Sequence, residues 1–511
     1  MDGARARAPE STASGVEPVL GGVRVIDLGS PISAYCTRIL ADLGADVVLV
    51  EAPEGDPLRH VGSFRDTATD LKSSLTYAYY HANKDSVVAD QGAPEGQALI
   101  AQLCHDADVV VISPSAQRPL WNFDREQRRL DHAGGDTIVC SITPFGLTGP
   151  YRDRPATHLT SFAQSGAMCR IGDPSGPPRP IPGQLHWHLA ATHAAVCVLA
   201  ALGVRDRVAG QMIDISAQEV EISHNLQFEV YDRAGLNPGG RTAGIGIPPT
   251  GTWECSDGTI DIAAYQHRHW AAFLAMLDQP EVLMEPALED MALRKMIFDG
   301  VNALIGPLLA EQSAATLVEK GQAAGLPVSP YNTPSSFVSD PQLRARDFFE
   351  NLGRPESCQL LAPGPAVRTV PRLFHARRPA PLLGEHQDQH ALGQGRTKPV
   401  THRAMPQLDL SSMRVLTFGE FIAGSTAGQL LAGLGAQVVK IESRSHPSAL
   451  RTAAFNYGPA LASEPSGVTI TATNASLNRG MKGVALEMSD RAAQAVLDLI
   501  AARSAGGRRV A

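Results

Sequence analysis

Residues 23–28 form a nearly unbroken apolar run that ends at Gly29, the pattern of a strand buried on both faces. A helical stretch leads to Leu43-Gly44-Ala45, and Asp46-Val-Val-Leu-Val-Glu51 predicts a second buried strand. Strand, helix, glycine turn and strand make a βαβ unit, which implies a parallel sheet and a right-handed crossover. The alternation continues with a helix over 94–104, an apolar run at 108–112 and a strand at 137–142. It predicts an α/β chain whose large domain is a Rossmann-like open parallel sheet. Asp257-Gly258 lies between two short β-type runs and predicts a hairpin, and helical patterns cover 269–277 and 290–309. Residues 235–335 are therefore read as a smaller α+β domain set between 20–234 and 336–395 of the large one.

The opening pattern occurs twice. Leu20-Gly-Gly-Val-Arg-Val-Ile-Asp-Leu-Gly29 matches Leu410-Ser-Ser-Met-Arg-Val-Leu-Thr-Phe-Gly419. Leu40-Ala-Asp-Leu-Gly-Ala-Asp-Val-Val-Leu-Val-Glu51 matches Leu431-Ala-Gly-Leu-Gly-Ala-Gln-Val-Val-Lys-Ile-Glu442. A period this long predicts duplication of a whole protein rather than a solenoid. The second copy spans 410–500, a partial Rossmann-like unit, joined by a linker at 396–409. Residues 1–19 read as a disordered leader and 501–511 as a tail. The tail's Ala, Gly and Arg composition is what a shifted reading frame in a GC-rich gene gives, and equally what a native flexible tail gives.

Composition narrows the function classes. A chain of 511 residues exceeds one hydrophobic core, and 43% hydrophobic with 19% charged residues is ordinary globular usage. The net charge of -8 disfavours a nucleic-acid backbone or an anionic membrane surface as the main partner. Seven cysteines stand singly with no C-x-x-C pair, which fits neither a disulfide framework nor a zinc site and points to a reducing, cytoplasmic setting. No signal-type leader is expected, nor any apolar stretch of membrane-spanning length.

Further landmarks follow in order: Pro94-Glu-Gly96, Thr148-Gly-Pro-Tyr151, Pro182-Gly-Gln184 with Leu199-Ala-Ala-Leu202, and Arg378-Pro-Ala-Pro-Leu-Leu-Gly-Glu-His386. The second copy adds Asn478-Arg-Gly480 and Val484-Ala-Leu-Glu487. Taken in this order and spacing, the chain resembles CoA-transferase family III, the CaiB/BaiF family. The resemblance implies an interlocked dimer of two-domain subunits, a homodimer or a pairing with another copy. It implies transfer of CoA between an acyl-CoA and a carboxylic acid, with coenzyme A or acyl-CoA as substrate and no metal. It also implies an Asp nucleophile that passes through a mixed anhydride to an aspartyl-CoA thioester, its oxyanion held in a backbone-lined cavity.

The sequence departs from that pattern where the chemistry lies. Counting back twelve residues from Leu199 places Trp187 at the family's Asp position, and an indole neither attacks a thioester nor departs from one. Asp153, Asp173 and Asp214 lie too far along the chain to stand in. Ala52 replaces a basic residue after the second strand, whose counterpart in copy two is Ser443-Arg444, and Ile112-Ser113-Pro114 replaces Glu-Asn-Phe. Thr157-His158 replaces the acid/base pair of related racemases. Asn83 and Lys84 match the family's Asn-Lys step and are, with Arg444, the candidate CoA contacts; Arg444 and Arg451 are also plain surface arginines on composition. Gly239-Gly240 and Gly244-x-Gly246 fit either a loop closing over a partner's site or an ordinary loop. His186, His188 and His193 raise a metal reading that lacks an accompanying carboxylate. The expected function is CoA transfer with a first copy lacking its nucleophile. The alternatives are a catalytically inactive pseudo-subunit that pairs with another copy and, more weakly, an acyl-CoA racemase or a fused CoA-transferase/lyase.

Overall fold

In the computed structural model, the described residues are 18–29, 31–65, 71–115, 120, 122–124, 129–173, 175–205, 210–224, 247–264, 266–354, 359–391, 410–411, 413–419, 421–443, 448, 451, 462–463, 469–470, 472–487, 491, 493–494 and 498. The chain divides into two compact units, one of 1–166, 181–223 and 341–409, the other of 167–180, 224–340 and 410–511.

The first unit is built on six parallel strands: β1 (Arg24–Leu28), β2 (Asp46–Glu51), β3 (Lys84–Val88), β4 (Val109–Ile112), β5 (Ile138–Thr143) and β6 (Met212–Ser216). Their spatial order is 3-2-1-4-5-6, the doubly wound order of dinucleotide-binding folds, with the switch point between β1 and β4. Helices α1 (Ala34–Asp42), α2 (Leu75–Tyr80), α3 (Pro94–His105), α4 (His158–Gln164), α5 (Leu185–Val204) and α6 (Ala217–His224) connect them. The apolar runs read from the sequence are buried throughout, as a sheet covered on both faces requires: Val109 to Ile112 expose nothing.

Local chemistry fixes the connections. Helix α1 ends where Gly44 adopts φ +100° and the amide of Ala45 reaches back to the carbonyl of Leu40 at 3.1 Å, a closure that a β-carbon would strain. Gly96, in the first turn of α3, lies so close to Asp90 that a β-carbon would meet its carbonyl oxygen at 2.0 Å. Asn83 turns the chain into β3 at φ +68°, a conformation asparagine tolerates better than most residues. Its side chain then ties down the returning segment: Oδ1 accepts the amides of Arg377 (2.6 Å) and Arg378 (2.9 Å) while Nδ2 donates to Asp42 (2.7 Å) and the His375 carbonyl (3.0 Å).

Helix α5 corrects one expectation. It runs 20 residues with mean hydropathy 1.6 in its most apolar window, long and apolar enough by composition to cross a membrane. Three histidines near its start hid that continuity in the sequence. Its alanines Ala190, Ala191, Ala194 and Ala195 instead pack into the core beside α1, β5 and β6.

The second unit holds the hairpin of β7 (Gly251–Glu254) and β8 (Thr259–Ile262), closed through Asp257-Gly258, with β9 (Val328–Pro330) on its other edge. Helices α7 (His267–Met276), α8 (Phe298–Ala310) and α9 (Ala314–Ala323) bury Trp270, Phe273, Ile305 and Leu317 against that sheet. The helical pattern expected over 290–309 is broken at Ile297, which leaves the helical region (φ −105°, ψ +36°). The same unit contains a parallel three-stranded sheet of β10 (Arg414–Thr417), β11 (Gln437–Glu442) and β12 (Lys482–Ala485), with helix α10 (Ile422–Gly433) between the first two strands. Gly435 at φ +100°, with the amide of Ala436 on the carbonyl of Leu431 at 3.0 Å, ends α10 as Gly44 ends α1.

Candidate active site

Trp187 sits in the first turn of α5, half-buried against the core that α5 shares with α1. Its indole Nε1 donates to Ser161 Oγ at 3.4 Å, and the His158 ring stands edge-on to it at 6.0 Å. His186, one residue earlier, is buried. Its Nε2 lies 3.1 Å from Ser161 Oγ and its Nδ1 lies 3.1 Å from Glu221 Oε2. His188 packs on the Tyr35 ring at 4.6 Å and shares a hydrogen bond with the Tyr80 hydroxyl. Helices α4, α6 and α2 thus each contact the first turn of α5, and α4 touches the indole itself, through Ser161 and His158.

Glu221 overturns the expectation that no carboxylate accompanies these histidines. It lies far along the chain, where β6 and α6 bring it back to the start of α5, and no spacing rule could have found it. Ser161, Tyr35 and Tyr80 were missed for the same reason. His193 turns back on its own helix, 3.0 Å from the Leu189 carbonyl, so the three histidines of α5 are not brought to one point. Among the described residues no group of His, Cys, Asp and Glu is suited to hold a metal ion.

The three aspartates weighed as substitutes are engaged elsewhere. Asp153 is exposed beside Arg152 at 3.2 Å, Asp173 accepts from the amide and hydroxyl of Ser175, and Asp214 accepts the amide of Leu147 at 3.1 Å. Lys84 is wholly buried, its ammonium 3.0 Å from Asp27 Oδ2, 2.7 Å from Thr37 Oγ1 and 3.0 Å from His81 Nδ1. Asn83 holds the returning segment described above. Arg444 and the glycines at 239–246 lie outside the described residues. Arg451 reaches Glu442 at 2.7 Å, as Arg59 reaches Glu51 through two bonds of 2.7 Å.

A cavity of about 250 Å³ opens near the other end of α2. It is lined by four cationic side chains, Arg59, Arg65, Lys72 and Arg354, together with Tyr77 and Pro381. At the switch point of the sheet, the Ser113 hydroxyl is buried with no partner among the described residues. Open α/β sheets bind ligands in the crevice at that point, beyond the carboxyl ends of the strands.

The model of CoA-transferase family III matches residues 20–387 and 410–504. The chain belongs to CoA-transferase family III. A probable CoA-transferase of Mycobacterium tuberculosis is 29% identical over 455 residues, covering 84% of this chain but 54% of that protein, so the chain spans about half of that relative's length. The BbsE subunit of succinyl-CoA:(R)-benzylsuccinate CoA-transferase from Thauera aromatica is 28% identical, over 71% of this chain and 91% of the relative. The crystal structure of a CAIB/BAIF family protein from Brucella suis superposes with a TM-score of 0.63 at 26% identity, covering 72% of this chain and 97% of that one. At family level these relatives support CoA transfer.

In this family III member two histidines near Trp187, His158 and His188, hold their protons more weakly than a free imidazole. Burial depresses the His188 imidazole, and His158 adds to it; burial likewise depresses His158, reinforced by His186 and opposed by Glu221. Both groups bind protons more weakly folded than unfolded, where an imidazole titrates near ~6.5. Their stability contribution is complete above that value and is lost as pH falls from it toward the lower folded values. Thermal melts should show the midpoint falling between pH 7.5 and pH 5, with a shallower fall in His188→Gln; an unchanged slope in that variant would refute the assignment.

Proposed function

We propose that this chain is a family III protein that binds a CoA thioester but does not carry the acyl group through an aspartyl intermediate, its first copy serving as a pairing subunit. The observation that carries the reading is the indole of Trp187 where the count along the chain expects the nucleophile, with the neighbouring carboxylate of Glu221 engaged by His186. Support for CoA binding comes from the cationic cavity, whose charge suits phosphates, and from the Ser113 hydroxyl at the sheet's switch point, buried with no partner among the described residues. Support for a second, partial copy comes from the matching βαβ units, their matching glycine closures at Gly44 and Gly435, and the Glu51–Arg59 and Glu442–Arg451 pairs. Duplication lets one half lose its nucleophile while another copy supplies chemistry.

The test combines binding and turnover. Saturating CoA should raise the melting midpoint by a few degrees, since ligand at about 100 times Kd adds roughly 2.7 kcal/mol. Isotope-labelled CoA should not move from a panel of acyl-CoAs to free carboxylates. No thermal shift would remove the CoA reading, and transfer by the unmodified chain would remove the claim of a missing nucleophile.

A further inference from the structure

The bonds around Ser161 have a direction that the family chemistry does not use. Ser161 Oγ lies within reach of His186 Nε2 (3.1 Å), Trp187 Nε1 (3.4 Å) and the carbonyls of Thr157 (3.0 Å) and His158 (3.3 Å). The indole can only donate. The Thr157 carbonyl already receives the amide of Ser161 at 3.0 Å. If the hydroxyl proton went to that carbonyl, His186 Nε2 would have to donate to Oγ. The contact between His186 Nδ1 and Glu221 Oε2 would then need one further proton. If the hydroxyl points at Nε2 instead, it gives up the Thr157 and His158 carbonyls, Nδ1–H donates to an ionised Glu221, and the series from serine to carboxylate is made with no extra proton. That arrangement is nucleophile, base and orienting carboxylate in hydrogen-bonded series.

The geometry points to a serine hydrolase site, Ser161–His186–Glu221, acting on activated acyl esters and CoA thioesters, with Trp187 as its cover. Ser161 Oγ attacks the acyl carbonyl carbon while its proton passes to His186 Nε2. The C–S bond breaks, and His186 returns the proton to the departing thiolate, leaving free thiol and an O-acyl serine. Water, deprotonated by the same imidazole, attacks that ester; the carboxylic acid leaves and the serine hydroxyl is restored. Glu221 holds Nδ1–H throughout and stabilises the imidazolium that forms in each half.

Two neighbours fit these roles. His158 lies with its ring centre 6.1 Å from that of His186, and its Nε2 is buried with no partner among the described residues. As a neutral imidazole protonated at Nε2 it has a hydrogen bond to offer to the developing oxyanion. Ser161 is itself fully buried, and the partly exposed side chain bonded to it is Trp187. Displacing the indole costs one long hydrogen bond and uncovers Oγ, so Trp187 sets the rate at which an acyl group arrives.

The test uses the full chain and a biotinylated alkyl fluorophosphonate, with peptide mass spectrometry to locate the adduct. Ser161 should be labelled slowly in the unmodified protein and about ten times faster in Trp187→Gly. Labelling should disappear in Ser161→Ala and fall at least tenfold in Glu221→Gln, which keeps the side chain's volume. Acetyl-CoA without any carboxylate acceptor should release thiol above the buffer rate, and Ser161→Ala should return it to that rate. Absence of a Ser161 adduct in both unmodified protein and Trp187→Gly, with both still melting cooperatively, would overturn the site. Thiol release unaffected by Ser161→Ala would overturn the hydrolysis. Neither result bears on CoA transfer, which requires the acceptor this assay omits.

Discussion

Trp187→Asp is expected to convert the first copy from a chain that holds no CoA covalently into one that forms an aspartyl-CoA thioester. The substitution places a carboxylate on the first turn of α5, at the position that the sequence count expects for the family's nucleophile. Removing a covalent nucleophile can cost an enzyme on the order of 10⁶ in rate, so even partial restoration should raise CoA transfer at least ~10³-fold above the unmodified chain. Trp187 borders His158 and His186, so the introduced carboxylate stands beside two imidazoles. Loss of a half-buried indole should destabilise the unit by about 3 kcal/mol or less. The checks are intact-mass detection of a hydroxylamine-sensitive CoA adduct and labelled-CoA exchange. A variant that melts normally yet forms no adduct and transfers nothing would show that more than the nucleophile has been lost.

Lys84→Met should be the most damaging single change to stability. The Lys84 ammonium and the Asp27 carboxylate are both buried and 3.0 Å apart. Burial holds the ammonium's proton affinity below its ordinary value, with Asp27 opposing that loss. Removing the cation leaves Asp27 charged in the core between β1 and α1, a loss of about 3–5 kcal/mol. For a unit of this size that lowers the melting midpoint by roughly 10 °C. Changing both partners, Asp27→Asn with Lys84→Met, should recover at least half of the loss, because no charge is then stranded. Calorimetry on the three variants decides it. A small stability loss with a large loss of CoA affinity would instead make Lys84 a substrate contact.

The sheet was legible in the sequence because its strands are buried on both faces. Val109 to Ile112 and Val47 to Val50 advertise themselves as apolar runs, and the glycines that close α1 and α10, Gly44 and Gly435, are demanded by backbone geometry alone. The hairpin at Asp257-Gly258 was legible for the same reason. The helix break at Ile297 was not, since residues on both sides carry helical periodicity. Nor was the apolar continuity of α5, whose histidines mask a core-packing face.

The site divides along a similar line. Trp187 was found by counting along a helix, a local measure. Ser161 meets it, Glu221 meets His186, and Tyr35 and Tyr80 meet His188, only because helices distant in the chain pack at the start of α5, and single-sequence patterns carry no record of which helix ends meet. Lys84 matched a family step, yet its buried pairing with Asp27 depends on how β3 lies against β1 and α1.

By itself, the amino-acid sequence determined a parallel doubly wound unit and the recurrence of its first βαβ segment near residue 410, and it set an indole where counting along the chain expects the family's nucleophile. Each of these is written in side-chain period, glycine placement or residue type, which act within a few turns of chain. Only the tertiary structure decided which polar groups surround that indole and which way their hydrogen bonds can run. Hydrogen bonds depend on distances of about 3 Å between atoms far apart in the chain, and those distances exist only once the helices have packed.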